Sequence, residues 1–124
     1  MDNIDRMHQI DAAWNGRDWD AYANLIAPDF QGWMNGDTTP HNKEEHIRRG
    51  QAYCSAMPNN RIASETYLEL FASADGSKTC SIATVTATDS RGLTTSATLV
   101  VICHWREGQI QQQREFICGE PFLP

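Results

Sequence analysis

Residues 93–118 read LTTSATLVVICHWREGQIQQQREFIC, and this stretch decides the fold. Thr, Val, Ile and Leu, which suit a pleated strand, dominate residues 93–106, and a second extended stretch follows at 109–118. The pair Glu107-Gly108 between them is a signal for a two-residue hairpin turn. The stretch therefore predicts two antiparallel strands joined at residues 107 and 108.

A two-residue turn also fixes the register, because Arg106 then pairs with Gln109 and each earlier residue with its mirror partner. One predicted face receives the pairs Trp105–Ile110, Cys103–Gln112, Val101–Arg114 and Leu99–Phe116. The other face receives His104–Gln111, Ile102–Gln113 and Val100–Glu115. We expect the first face to be concave and covered by helices, with Gln112 and Arg114 facing a hollow.

Two further strands are predicted upstream, near residues 61–73 and 78–88, because turn signals at Asp75-Gly76 and Ser90-Arg91-Gly92 bound them. The first sixty residues have helical periodicity instead. They predict helices at Asn3 to Asn15, from Asp18 to Pro28, and from Asn42 to Pro58, with a short strand at Phe30 to Met34. The predicted fold is α+β, a curved antiparallel sheet on three N-terminal helices, in one domain over residues 1–124.

Composition argues against several functional classes. The net charge is −6 and the longest basic run is Arg48-Arg49, so we expect no nucleic-acid partner. The longest apolar run is too short to cross a bilayer and the N-terminus lacks a basic, apolar signal, so we expect a cytoplasmic protein without a membrane partner. Phosphate-binding and zinc motifs are absent from the sequence, so we expect no cofactor and no metal. The four cysteines show no Cys-x-x-Cys spacing and are expected to be reduced.

The order of these elements resembles the nuclear transport factor 2-like (cystatin-like) fold, and within it the SnoaL-like polyketide cyclase and ketosteroid isomerase relatives. The segments 13–18, 27–30, 57–59 and 106–110 carry the resemblance, which spans nearly the whole chain. It implies a cone-shaped sheet around a small-molecule pocket. It also implies a catalytic aspartate near the end of the last strand, where counting from Gly108 reaches Cys118 instead.

The candidate catalytic residues are Asp37, His41 and Arg114. Asp37 and His41, with His46 nearby, could bring a carboxylate and an imidazole together for acid–base work at neutral pH. The alternative is that Asp37 is a turn residue and both histidines are solvated. Arg114 could bind a ligand carbonyl or carboxylate, or could form an internal ion pair with Glu69.

The candidate ligand-binding residues combine aromatic walls with one amide, which suits a small apolar or aromatic ligand. They are Trp14, Trp33, Tyr53, Val101, Gln112 and Phe116. The alternative for each aromatic side chain is ordinary core packing.

The predicted outer face of the sheet carries Val100 and Ile102 beside His104 and Glu115, and such an apolar face favours a homodimer. Two functional hypotheses follow. The first is a cofactor-free isomerase, cyclase or hydratase acting on a small apolar carbonyl compound. The second is a non-catalytic ligand-binding or dimerisation module of the same fold, which the cysteine at position 118 favours.

Overall fold

A computed structural model describes residues 1–119, so the predicted domain limit at residue 124 lies outside the described residues. Three helices and six strands follow one another in the order α1, α2, β1, α3 and β2 to β6. The helices are α1 (Asn3–Asn15), α2 (Trp19–Asn24) and α3 (Lys43–Ala56). The strands are β1 (Ile26–Met34), β2 (Arg61–Ile62), β3 (Glu69–Ala72), β4 (Lys78–Thr88), β5 (Thr94–Arg106) and β6 (Gln109–Gly119).

Each helix begins at a polar side chain that caps its free backbone N–H groups. Asp2 accepts from the N–H of Asp5, and Asp18 accepts from that of Ala21. Asn42 accepts from the N–H of Glu45 at 2.9 Å, at the predicted start of α3. The second helix ends at Asn24, earlier than Pro28, because the chain enters β1 at Ile26.

The strands form one sheet in the order β1-β6-β5-β4-β2, with β3 also pairing with β4. The predicted strands at 78–88, 93–106 and 109–118 are confirmed within a residue of their limits. The strand predicted at 61–73 is instead two short strands that pair with opposite ends of β4. The α+β fold is confirmed, and β1 joins it in parallel with β6 while the other pairs are antiparallel.

The core lies between the helices and the concave face of the sheet. Met7 and Ile10 of α1 and Phe30 of β1 are almost fully buried there. They belong to the same cluster as the inward side chains of β4 and β5, which include Ala83, Val85, Leu99, Val101, Cys103 and Trp105. Burying these apolar surfaces is the main favourable contribution to folding.

The predicted register of the last hairpin is wrong beyond its first two pairs. Arg106 pairs with Gln109 and Trp105 with Ile110, but His104 then pairs with Gln112, so Gln111 is an extra residue in β6. This β-bulge moves every later side chain of β6 to the opposite face. The side chains that face inward beside Cys103, Val101 and Leu99 are Gln113, Glu115 and Ile117, in place of Gln112, Arg114 and Phe116.

The outer face of the sheet differs from the prediction for the same reason. Val100, Ile102 and His104 lie there, but Gln113 and Glu115 do not, and exposed Phe116 takes the place opposite Val100. The homodimer through this face stays a prediction. Among residues 1–119, no helix is both long enough and apolar enough to span a bilayer.

Deleting Gln111 tests the importance of the bulge. Without the extra residue, the turn would force Arg114 inward and Glu115 outward, and burying an unpaired guanidinium costs at least about 3 kcal/mol. We therefore expect the deletion variant either to lose about 3 kcal/mol or more in the free energy of unfolding, measured with urea, or not to fold at all. Gln111→Ala keeps the chain length and is the control, with a loss below about 1 kcal/mol. Equal stability of the deletion variant and the control would contradict this account.

Candidate functional site

A cavity of about 450 Å³ lies between the helices and the concave face of the sheet. Most of its wall is apolar and comes from helices α1 and α3 and from the strands of the sheet, including Met7, Ile10, Val85, Leu99 and Val101. Its polar side chains are fewer and come from α1, α2, α3, the loops on either side of α3, and β6. The volume is within the range of small-molecule sites.

Four of the nine predicted site residues line this cavity. They are His41, Trp14, Tyr53 and Val101. The indole N–H of Trp14 donates to Asn60 Oδ1 at 2.8 Å, which fixes its ring against the cavity. The other five predicted residues lie outside the cavity wall: Asp37, Arg114, Trp33, Gln112 and Phe116.

Asp37 is an exposed turn residue. Its carboxylate accepts from the backbone N–H of Met34 at 3.2 Å, as the alternative interpretation expected, but the second part of that alternative, two solvated histidines, is wrong because His46 is buried. Arg114 is exposed on the outer face, where its guanidinium lies 4.2 Å from the ring centroid of Trp33. That cation–π contact places both side chains away from the cavity. The geometry therefore gives no support to a catalytic role for Asp37 or Arg114.

The acid that does face the cavity is Glu115, with a side chain that is only 16% exposed. Burial raises the pKa of Glu115 to about 7, although a hydrogen bond from Gln113 opposes the shift and the charge of Asp11 adds to it. The amide N–H of Gln113 donates to Glu115 Oε1, and the Cys103 thiol donates to the amide oxygen of Gln113 at 3.6 Å. A carboxyl group with this pKa is present in both protonation states at neutral pH.

A second buried acid, Asp11, reaches the cavity from α1. Its carboxylate accepts a hydrogen bond from the hydroxyl of Tyr67. Burial raises the pKa of Asp11 to about 6, against the lowering effect of that hydrogen bond. The cavity thus holds two carboxyl groups whose pKa values lie near neutrality.

Two histidines with nearly parallel ring planes complete the polar wall. His41 Nε2 lies 2.8 Å from His46 Nδ1, and His46 Nε2 lies 3.0 Å from the Tyr22 hydroxyl and 3.8 Å from Glu115 Oε1. Burial, together with smaller effects of His41 and Arg49, lowers the pKa of His46 to about 3. His46 is therefore neutral at physiological pH.

Sequence reasoning missed Glu115 because the bulge at Gln111 has no signature in the sequence. Asp11 had a signal, since it lies one turn from Met7 and three residues from Trp14 on the inward stripe of α1. Cys118 is exposed, so the position reached by counting from Gly108 does not face the cavity. Within residues 1–119, no three His, Cys, Asp or Glu side chains are grouped so that they could hold a metal ion.

The sequence model of the SnoaL-like domain matches residues 6–113. None of the proteins with curated functions matches the chain.

Several solved structures share the fold. IdmH from Streptomyces antibioticus, a candidate polyketide cyclase, superposes with a TM-score of 0.80 at 19% identity, over 91% of this chain and 89% of that one. A candidate polyketide cyclase from Xanthomonas campestris gives 0.77 at 17% identity, over 89% and 85%. A candidate ketosteroid isomerase from Kribbella flavida gives 0.69 at 20% identity, over 98% and 79%. At these identities the likeness shows the fold alone.

Replacing Glu115 by Gln tests the buried charge. The pKa of Glu115 is raised from 4.5 to about 7, so its ionisation destabilises the folded state as pH rises through that window. Gln cannot ionise. We expect Glu115→Gln to gain stability relative to wild type between pH 4.5 and pH 8, by up to about 3 kcal/mol in urea-induced unfolding.

Glu44→Gln makes the same change at an exposed position of α3 and is the control. Titration of His46 occurs in both wild type and variant, and its contribution largely cancels in the comparison. The difference in unfolding free energy between Glu115→Gln and wild type should be larger at pH 8 than at pH 4.5. An equal difference at these two pH values would contradict the burial of an ionisable carboxyl group.

Proposed function

Because the chain belongs to the SnoaL-like domain family, we propose that it is a cofactor-free enzyme that transfers a proton on a small apolar carbonyl compound in the cavity. Glu115 is the acid–base group. One observation carries the proposal: a buried carboxyl group with a pKa of about 7 faces a largely apolar cavity. This chemistry is that of an isomerase or a cyclase.

The pKa of Glu115 suits this role. A general base works best when its pKa is close to the working pH, since it must be ionised before the reaction and still bind a proton strongly. An ordinary glutamate with a pKa of 4.5 is a weak base, whereas burial makes Glu115 a stronger one. Proton transfer from the carbon next to a carbonyl group needs a base of this kind.

The electrostatics of Asp11 support the assignment. Its pKa of about 6 leaves it mostly ionised at neutral pH, and its negative charge raises the pKa of Glu115. Two carboxyl groups whose surroundings separate their pKa values are a recurrent arrangement in acid–base catalysis. We assign Asp11 as a residue whose charge adds to the larger effect of burial on the basicity of Glu115.

The side chains of the cavity wall suit a flat, apolar ligand. Trp14, Tyr53 and the apolar side chains Val85, Leu99 and Val101 give the cavity a largely apolar surface. The names of the structural neighbours refer to a candidate polyketide cyclase and a candidate ketosteroid isomerase, and both names denote compounds that carry ketone groups.

The second candidate function is binding without catalysis. The hydrogen bond that Glu115 accepts from Gln113 favours this function. A carboxyl group fixed by such a bond can orient a ligand without exchanging a proton with it. The two functions differ in one measurable property, because only the enzyme exchanges protons with the bound compound.

Exchange of ketone protons with solvent tests the proposal. In D2O, we expect the protein to accelerate deuterium incorporation next to the carbonyl of α-tetralone, a flat bicyclic ketone, as followed by NMR. The rate should rise with pH through about 7, as Glu115 loses its proton. We expect Glu115→Gln to lower the rate by at least about 100-fold.

Asp11→Asn should move the midpoint of the pH dependence of the exchange rate to a lower pH, because it removes a charge that raises the pKa of Glu115.

Arg114→Ala is the control, since this side chain lies on the outer face and should leave the rate unchanged. Binding is measured separately by fluorescence of Trp14 and the other tryptophans. Binding without exchange in wild type would support the second function. Equal exchange by wild type and Glu115→Gln would remove Glu115 from the mechanism.

A further inference from the structure

The outer face of the sheet carries two adjacent rows of mostly apolar side chains, which together form an apolar belt. The first row runs from β3 to β1 through Phe71, Cys80, Ile102, Arg114 and Trp33. The second row runs from β3 to β6 through Glu69, Ile82, Val100 and Phe116. Phe71 is 54% exposed and Phe116 is 38% exposed, so no element within residues 1–119 covers the belt at these positions. A contiguous apolar surface of this kind is typical of an interaction site.

Polar side chains border the belt at both ends along the strands. Lys78, His104, Gln112 and Gln31 form the row on one side, and Thr84 and Thr98 lie on the other. An apolar centre inside a polar rim is the usual anatomy of a protein interface. With its borders the face spans about 24 Å across the strands and about 27 Å along them. A footprint of roughly 600 Å² on each of two partners lies at the lower end of specific interfaces.

Two opposite charges on the belt have no partner in their own chain. Glu69 points outward because its neighbour Leu70 packs against the core, and Arg114 lies over the ring of Trp33. Neither forms an ion pair within residues 1–119. Their strands, β3 and β6, are three positions apart in the sheet, or about 14 Å. The internal ion pair between Arg114 and Glu69 that the sequence allowed therefore does not form.

A second copy of the chain supplies the missing partner of each charge. The strand order across the belt is β3-β4-β5-β6-β1, so a two-fold axis parallel to the strands and midway between β4 and β5 places β3 of one copy over β6 of the other. Glu69 of each copy then faces Arg114 of the other copy, and the pair occurs twice. Packed sheets lie about 10 Å apart, a gap that these two long side chains can bridge.

The same axis brings apolar side chains together at the centre. It places β4 over β5, so that Ile82 of one copy meets Val100 of the other and Cys80 meets Ile102. At the rim, Lys78 then faces His104 of the second copy. Burial, with the nearby charges of Lys78 and Arg114, lowers the pKa of His104, so its ring is neutral at physiological pH and does not repel the lysine.

We propose that the chain forms a symmetric homodimer through the apolar belt, in which Glu69 of each copy pairs with Arg114 of the other. A different protein would have to present a cation and an acid in the same order, whereas a second copy supplies both by symmetry. The cavity lies on the opposite face of the sheet, so the dimer does not depend on the acid–base role of Glu115.

Sedimentation velocity at several protein concentrations tests the dimer. We expect wild type to reach twice the 13.9 kDa mass of one chain. Phe116→Asp places a charge inside the belt and should raise the dimer dissociation constant at least about tenfold. Leu93→Asp is the matched control, since Leu93 is 56% exposed but lies at the hairpin turn outside the belt, and it should leave the mass unchanged. A monomeric wild type, or a dimer that Phe116→Asp does not weaken, would overturn the proposal.

Charge reversal tests the assigned pair. Glu69→Arg and Arg114→Glu each place like charges opposite one another, so each should raise the dissociation constant at least about tenfold. Arg91→Glu, in the exposed turn between β4 and β5, is the control and should have no effect.

An equal mixture of Glu69→Arg and Arg114→Glu should form a heterodimer, because each copy then faces the opposite charge at both positions. Such rescue cannot arise from variants that fail to fold. If the two variants stay monomeric on mixing while wild type dimerises, or if neither reversal weakens the wild-type dimer, the assigned pair is overturned. Deuterium exchange into α-tetralone, measured on the same variants, reports the proposed function separately, since neither side chain lines the cavity.

Discussion

The extra residue in β6 is the constraint on which the site depends. Since side chains alternate along a strand, the bulge at Gln111 decides which set of β6 side chains faces the cavity. It turns Glu115 inward and leaves Arg114 on the outer face over Trp33. A regular hairpin would do the reverse, and the cavity would then contain a cation in place of an acid.

The energetic consequence is an ionisable acid in an apolar place. Burial of a carboxylate disfavours its charged form, and the negative charge of Asp11 adds to that effect. The fold tolerates the cost because Gln113 donates a hydrogen bond to Glu115 and because the group can take up a proton near neutral pH. The same cost gives Glu115 the basicity that the proposed reaction requires.

Local signals were sufficient to predict most of the fold. Helix caps at Asp18 and Asn42 and the turn at Glu107-Gly108 are short-range features, and the structure confirms each of them. The strand predicted at 61–73 is broken by a turn in which the N–H of Thr66 donates to the carbonyl of Ala63, after which Tyr67 contacts Asp11 of α1. The hydrophobic pattern of a sequence does not reveal contacts between residues that are distant along the chain.

The site was less predictable for a related reason. His41, Trp14, Tyr53 and Val101 line the cavity as expected; periodicity predicts the elements that carry the last three, whereas His41 lies in the loop before α3. Gln112, Arg114 and Phe116 were assigned to the wrong face by a single residue of register, and Glu115 was missed with them. The pairing of β1 with β6 is also irregular between Ile26 and Gln31, beside the bulge, and such pairing between distant segments is not visible in the sequence of β6 alone.

The most direct test of the central claim is the titration of Glu115 itself. The ¹³C chemical shift of its side-chain carboxyl group, followed by NMR from pH 4 to pH 9 and assigned by its loss in Glu115→Gln, reports the pKa without a ligand or an assay. The account predicts a midpoint near 7. A midpoint near the ordinary glutamate value of 4.5 would show a solvated side chain and would contradict the account.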